Sequence, residues 1–319
     1  MRWGRCVSVA ERRDALWLDT FPGALSNEPL ARHSQFGVGG PARWFLKVTD
    51  EASIVDVMRR CAETGVTVTV VGAGSNALIL DAGVPGLVVR FDDRHLSVVD
   101  EGTVELGGGC MMPRAALDCA RRGLAGLEFG IGVPGTCGAS VYGNAGAFGT
   151  EMSDVLIECT VVAPGGEPYT LTSGECGFAY RHSRFKADLR GHIVTSARLR
   201  VRRDDPAAVR ARTDAVQAQR KATQPYGVRS LGSVFKNPPD DAAGRLIEAA
   251  GLKGRRRGGA QISPKHANFI CNVARASAED VLALVALAHD EVMRLFGIDL
   301  EREIMVLGEG APVAGSGVR

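Results

Sequence analysis

Two glycine-rich segments are the first residues whose types and spacing could do chemistry. Gly72-Ala73-Gly74-Ser75-Asn76 follows the apolar run VTVTVV and offers consecutive backbone N–H groups beside two small polar side chains. Such a turn suits an anion, and in particular a pyrophosphate held by main-chain amides. With Ala77 the run fits GxGxxA, and Asp92 lies twenty residues beyond Gly72, which imitates a dinucleotide fingerprint with its ribose-binding acid. That fingerprint requires a helix to open directly after the glycines. Gly83, Pro85 and Gly86 leave no length for one, so the loop reads as an anion-binding turn between strands.

The second segment, GLEFGIGVPGTCGASVYGNAGAFG, runs from Gly126 to Gly149. A flexible linker would carry serine and charge, whereas this one carries Leu127, Phe129, Ile131, Val133, Val141, Tyr142 and Phe148. Small residues among apolar ones let main chain approach a large flat ligand while the segment stays within a core. Two such segments far apart in sequence suit an extended ligand with a diphosphate and aromatic rings.

Other chemistry is excluded more simply. Net charge is +2, too mild for a nucleic-acid footprint. Lys253-Gly254-Arg255-Arg256-Arg257 reads as a solvated turn. The eight cysteines form no CxxC pair and have no histidine at a finger spacing, so no metal site is expected. Most sit in apolar runs, which reads as free thiols in a reducing compartment. No apolar stretch nears the ~20 residues of a membrane helix, and charges at Glu11, Arg12, Arg13 and Asp14 interrupt any signal-peptide core. The chain is expected in the cytoplasm.

Around these segments the pattern is of short strands with few helices, an α+β arrangement rather than repeating βαβ units. Strands are expected at ARWFLKV, VTVTVV, 87–91 and 103–106, and several more over 155–202. Helices are expected near 51–64, 113–122, 207–221, 242–250 and 278–296, the last capped by Ser277 with Asp280 three residues on. A closing strand ends at Leu307. Residues 1–31 show no firm pattern and read as an extension, and 309–319 as a mobile tail. A boundary is expected near Asp204–Pro206.

The set HSQFGVGGPA (33–42), VGAGSN (71–76), the Gly126–Gly149 segment, YRHSRFK (180–186), GSVFKNP (232–238), GLKGRRRGGAQISPKHANFICN (251–272) and LEREIMVLG (300–308) resembles the UDP-N-acetylenolpyruvoylglucosamine reductase family. The motifs cover 33–308 in uninterrupted order, and GSVFKNP and the KHANF segment are the specific ones. The short interval from Tyr180 to Ser233 resembles the family's second type, which lacks an inserted substrate-covering loop.

The resemblance implies a vanillyl-alcohol-oxidase-type FAD-binding domain over 32–204, in two subdomains (about 32–100 and 101–204), then a C-terminal α+β UDP-sugar-binding domain over 205–308. It implies NADPH-dependent, FAD-mediated reduction of the enolpyruvyl ether of UDP-N-acetylglucosamine enolpyruvate to UDP-N-acetylmuramate, in cell-wall precursor synthesis. By the same resemblance Ser233 is the proton donor, Arg181 stabilises the enolic intermediate and Glu303 is the active-site carboxylate. Arg220, Asn237 and His266 match substrate contacts. FAD, held non-covalently, would meet Gly72, Ala73, Gly74, Ser75 and Asn76, and then Gly132, Pro134, Gly135, Thr136, Gly138, Ala139, Tyr142, Asn144 and Ala145. Strand alternation puts Glu301 on the Glu303 face, so the choice between the acids rests on the motif. Cys137, Ala139, Ser140 and Gly143 depart from the family's usual residues but are all small. A monomer is expected, with no membrane or nucleic-acid partner. The alternatives are another FAD oxidoreductase on the same scaffold and a catalytically idle flavin-binding protein.

Overall fold

A computed structural model describes residues 16–311; residues 1–15 and 312–319, with most of the expected tail, lie outside the described residues. Part of the expected extension is ordered. Leu16–Thr20 (α1) is a short helix, and Leu25–Pro29 (β1) pairs antiparallel with Pro41–Val48 (β2). Trp44 of β2 donates its indole N–H to Asp19 at 2.8 Å, an anchor between aromatic and acid that no periodicity reveals.

Glu51–Thr64 (α2) starts where Asp50 accepts from the Ser53 amide and stops at left-handed Gly65, and it buries Ile54, Val57, Met58 and Cys61 at helical spacing. Each large apolar side chain so buried stabilises the fold by about 1.5–3 kcal/mol. Val68–Val71 (β3) and Val84–Phe91 (β5) complete a four-stranded sheet in the order β1-β2-β5-β3. Between them the glycine loop leads into strand Ala77–Ile79 (β4), as the reading against a crossover helix expects.

The second layer is a five-stranded antiparallel sheet. Its strands are Leu96–Asp100 (β6), Thr103–Gly107 (β7), Leu156–Val162 (β8), Pro168–Thr172 (β9) and Ile193–Arg200 (β10), in the order β9-β8-β10-β7-β6. Helices Met112–Arg121 (α3) and Cys137–Gly143 (α4) add Met112, Ala115, Cys119, Cys137 and Val141 to the core it shares with Leu106, Leu199 and Phe185. Helix Pro206–Thr223 (α5) buries Val209 with Ala120 and Ala125.

Beyond α5, Ser230–Ser233 (β11), Arg256–Arg257 (β12), Ala260–Ile262 (β13) and Phe269–Asn272 (β14) form a sheet in the order β11-β14-β13-β12. Ala243–Ala249 (α6) and Ala278–Phe296 (α7) join its core. The Ser277–Asp280 capping box is formed. Phe36, Val38 and Leu78 pack into the same core from the other end of the chain. Met305–Leu307 (β15) then pairs in parallel with β4. The last strand is thereby stitched to the first glycine loop.

Candidate active site

A cleft of about 450 Å³ opens between the Ser75–Asn76 loop, the 132–148 segment and the 224–233 run, within the range of ligand-binding clefts. One wall is backbone and small side chains: Ser75, Asn76, Gly132, Pro134, Gly135, Ala139, Ala145 and Gly146. Gly74 has φ +64°, and a Cβ there would lie 2.8 Å from the His33 carbonyl oxygen, so only glycine closes this turn without strain. The loops are tied together: the Gln35 amide donates to the Gly74 carbonyl at 3.2 Å, and its side chain donates to the Pro134 carbonyl at 2.9 Å. Asn76 ties this wall to the charged end, its side-chain amide donating to the Glu303 carbonyl at 3.1 Å.

This wall fits a flavin dinucleotide. At Gly135 a Cβ would meet nothing nearer than Ser75 Oγ at 3.5 Å, and at Gly143 nothing nearer than Lys186 Nζ at 4.0 Å. The space beside both is cleft, left free where side chains would otherwise stand. Arg181, Lys186, Arg220 and Arg229 face Glu303 alone, a cationic excess suited to phosphates and a carboxylate. Cys137 is completely buried and its thiol is pushed up by burial, which argues against a covalent flavin link.

The charged end is assembled from distant segments. Arg181 Nε lies 3.2 Å from Glu303 Oε1, and its NH2 donates to the Gly146 carbonyl at 2.9 Å. Ser233 ends β11 beside left-handed Gly232 (φ +75°). The chain just beyond Ser233 pairs with the Glu303 segment: the Glu303 amide donates to the Val234 carbonyl at 2.8 Å and the Lys236 amide to the Glu301 carbonyl at 2.9 Å. Buried Asn268 locks that run by accepting from the Phe235 amide at 2.9 Å and donating to its carbonyl at 2.8 Å. Serine, carboxylate and guanidinium thus line one cleft. Burial raises the Glu303 carboxyl above its ordinary value, against the opposing pull of Arg181, Lys186 and Lys236.

Glu301 instead lines a separate surface hollow and pairs with Lys236 at 2.6 Å. The amides of Glu303 and Ile304 both point at the Val234 carbonyl, at 2.8 and 3.4 Å, and this bulge-like doubling breaks the alternation that put both acids on one face.

Of the other expected residues, Arg220 lines the cleft, half-buried, donating to the Ile131 carbonyl at 3.3 Å and to Gln224 Oε1 at 3.1 Å. Asn237 lies in the outer hollow, where its side chain accepts from the Ala243 amide at 3.1 Å. His266 stands behind Phe269, ring centroids 4.8 Å apart, and accepts from the Asn268 amide; burial lowers its pKa. Neither is part of the cleft lining.

Gly72, Ala73, Gly74, Thr136, Gly138, Tyr142 and Asn144 also stand behind the lining. Thr136 caps α4 through the Ala139 amide. Gly138 passes close to the Gly108 and Val194 carbonyls, and Tyr142 packs near Phe185. Left-handed Asn144 ties Glu151, Ser153 and Ala179 together. Lining residues absent from the expectation include Gln35, Phe148, Lys186, Phe269 and the run 224–232. Lys186 and Gln35 lie inside recognised motifs, but nothing in their spacing says that they point inward.

Residues 42–172 match the model of an FAD binding domain, and 224–307 that of the C-terminal domain of UDP-N-acetylenolpyruvoylglucosamine reductase. The chain is 43% identical over 302 residues to UDP-N-acetylenolpyruvoylglucosamine reductase 2 of Symbiobacterium thermophilum, covering 94% of this chain and 97% of that one. It is 37% identical over 287 residues to the Bacillus pumilus reductase, covering 89% and 94%. The solved structure of the Thermus caldophilus reductase superposes with a TM-score of 0.77 at 36% identity, covering 89% of this chain and 98% of that one.

Proposed function

The chain belongs to the UDP-N-acetylenolpyruvoylglucosamine reductase family, and from that premise we propose how its own residues carry the reaction. The protein is an FAD-dependent oxidoreductase that reduces UDP-N-acetylglucosamine enolpyruvate with NADPH, forming UDP-N-acetylmuramate for peptidoglycan. Bound FAD supplies the hydride, drawn from NADPH.

Reduction at the terminal vinyl carbon leaves negative charge on its neighbour and, by conjugation, on the carboxylate. Arg181 takes that carboxylate, because a planar guanidinium grips two oxygens at once. Ser233 gives its hydroxyl proton to the carbon. Glu303 holds Arg181 from the other side and fixes its direction. Arg220 and Arg229 take the diphosphate, and Gly135, Ala139 and Ala145 admit the flavin. Asn237 and His266 act by holding the chain around α6 and Phe269. Residues 32–204 hold FAD and 205–308 the UDP-sugar. The enzyme works in the cytoplasm as a monomer, without a membrane or nucleic-acid partner; among the described residues the cysteines are free and buried, and no helix is long and apolar enough to cross a membrane.

The observation that carries this reading is the meeting of Arg181 and Glu303 at 3.2 Å in the cleft that Ser233 also lines. NADPH absorbance tests it, followed with and without UDP-N-acetylglucosamine enolpyruvate beside Ser233→Ala. Oxidation that requires the UDP-sugar and falls by about 10²- to 10⁴-fold in a flavin-loaded Ser233→Ala supports serine as the acid. A flavin-loaded variant with the wild-type rate removes Ser233 from the mechanism.

A further inference from the structure

Lys186 lines the cleft and has no part in the reading above. It closes the short 3-10 turn Arg184–Lys186, whose Phe185 is completely buried. Ser183, just before that turn, donates its hydroxyl to the Tyr142 carbonyl at 2.6 Å. The backbone is therefore fixed in the core while the lysine side chain leaves it for the cleft. There Nζ donates to the backbone carbonyl of Arg181 at 2.8 Å.

Arg181 has an unusual backbone. It is the third residue of a tight turn closed by the His182 amide on the Ala179 carbonyl at 3.0 Å, and its φ is +53°. Glycine or asparagine is favoured at such a position, because an L side chain crowds its own backbone there. A larger residue persists in this conformation only when its surroundings over-determine it. Contacts at both ends of the residue do so: the Gly146 and Asn144 carbonyls, Glu303 and Glu151 on the guanidinium, and Lys186 on the carbonyl. Those on the guanidinium hold the end of a long flexible side chain, whereas the strained peptide itself is held by the His182 amide that closes the turn and by the lysine on its carbonyl. Relaxation of φ toward ordinary values would swing Cβ, and with it the guanidinium, away from Glu303.

We propose that Lys186 is a positioning residue whose ammonium latches the Arg181 carbonyl and so holds the left-handed turn that aims the guanidinium into the cleft. An ammonium suits this task because it is compact and carries three donors. Burial pulls its pKa down, with Lys236 and Arg181 adding to that pull and Glu303 opposing it, the mark of a charge kept in a crowded site rather than in solvent. The inference rests on the role proposed above for Arg181.

The test is steady-state kinetics on flavin-loaded full-length protein with NADPH and UDP-N-acetylglucosamine enolpyruvate. Lys186→Met is expected to lower kcat by about 10²-fold, the scale of a misplaced catalytic group, with the flavin spectrum and the KM for NADPH unchanged. Lys186→Arg, which keeps a donor, recovers most of the rate. In an Arg181→Ala background Lys186→Met changes kcat by less than about threefold, because both act through one interaction. Full activity in flavin-loaded Lys186→Met, or equal losses in both backgrounds, overturns the latch. A wild-type rate in Arg181→Ala overturns instead the role of Arg181, so the two failures are told apart. Where Lys186→Met loses its flavin, Lys186→Arg decides: flavin-loaded protein as slow as Arg181→Ala overturns the proposal.

Discussion

The wall made by 75–76 and 132–146 is built of glycine, alanine and bare backbone, whereas the end where Arg181, Lys186, Ser233 and Glu303 gather is built of charges taken out of water. The first is cheap to hold, since removing side chains leaves space and burying paired amides costs little. The second is expensive: Glu303 is held above its usual pKa and Arg181 in a conformation that glycine prefers. Binding needs room and donors, which a glycine turn supplies locally. Reduction of an enolpyruvyl ether needs charge placed where charge develops, which calls for side chains from three separate segments held by a shared framework. Substitutions at the two regions should therefore fail in different ways.

The largest effect is expected at the charged end. Glu303→Gln keeps the shape of the side chain but removes the charge facing Arg181, and should lower kcat by about 10²- to 10³-fold with flavin still bound. The pH dependence carries the sharper signature. Wild-type activity should fall on the acid side at a pH above the ordinary carboxylate value, as the raised Glu303 carboxyl takes its proton, and that limb should vanish in Glu303→Gln. Stability moves oppositely. Folded Glu303 keeps its proton to higher pH than the unfolded chain does, so the fold loses stability as pH climbs through that interval. A pH–rate profile that is the same in both proteins would break the comparison.

At the glycine wall the expected failure is in binding. A Cβ added at Gly135 meets nothing nearer than Ser75 Oγ at 3.5 Å and Ala139 Cβ at 3.9 Å, so the melting temperature of flavin-free Gly135→Val should hold. In the proposed reading its methyls crowd the flavin, and overpacking of about 1–3 kcal/mol should weaken FAD roughly 10- to 100-fold. Variant protein reconstituted with excess FAD should regain substrate-dependent NADPH oxidation, which Glu303→Gln does not. Unchanged flavin affinity in a titration followed by fluorescence would mean that the space beside Gly135 is not the flavin's.

The same contrast explains what could be read from the sequence. The GAGSN turn, its dissent from a Rossmann crossover and the Ser277–Asp280 cap are local arrangements, and each is formed. Helix Cys137–Gly143 escaped notice because a seven-residue run with glycine at its second and last positions has little helical propensity; Thr136 capping and packing on Val194 and Gly108 make it. Residues 16–29 join the first sheet through long-range contacts, the pairing of 25–29 with 41–45 and the Trp44–Asp19 bond, which periodicity does not reveal. The charged end was legible only through resemblance, since Arg181, Ser233 and Glu303 lie on segments that meet through the Val234–Glu303 pairing. Asn237 and His266 matched by motif; outside the cleft lining, each makes a local hydrogen bond, with Ala243 and Asn268.

The smallest expected effect settles which acid matters. Glu301 and Glu303 are two residues apart, and alternation alone makes them equivalent. The doubled amides at Val234 separate them, leaving the Glu301 side chain 72% exposed and that of Glu303 17% exposed. An exposed carboxylate paired with Lys236 contributes less than about 1 kcal/mol, so Glu301→Gln should leave folding, flavin content and turnover almost unchanged. It also frees the Lys236 charge, one of the groups that pull the Glu303 carboxyl down. The acid limb of the rate profile should then stay in place or slip slightly to lower pH, never rise. A large loss of turnover in Glu301→Gln, with Glu303→Gln nearly silent, would exchange the two acids and move the reacting end of the cleft toward the outer hollow.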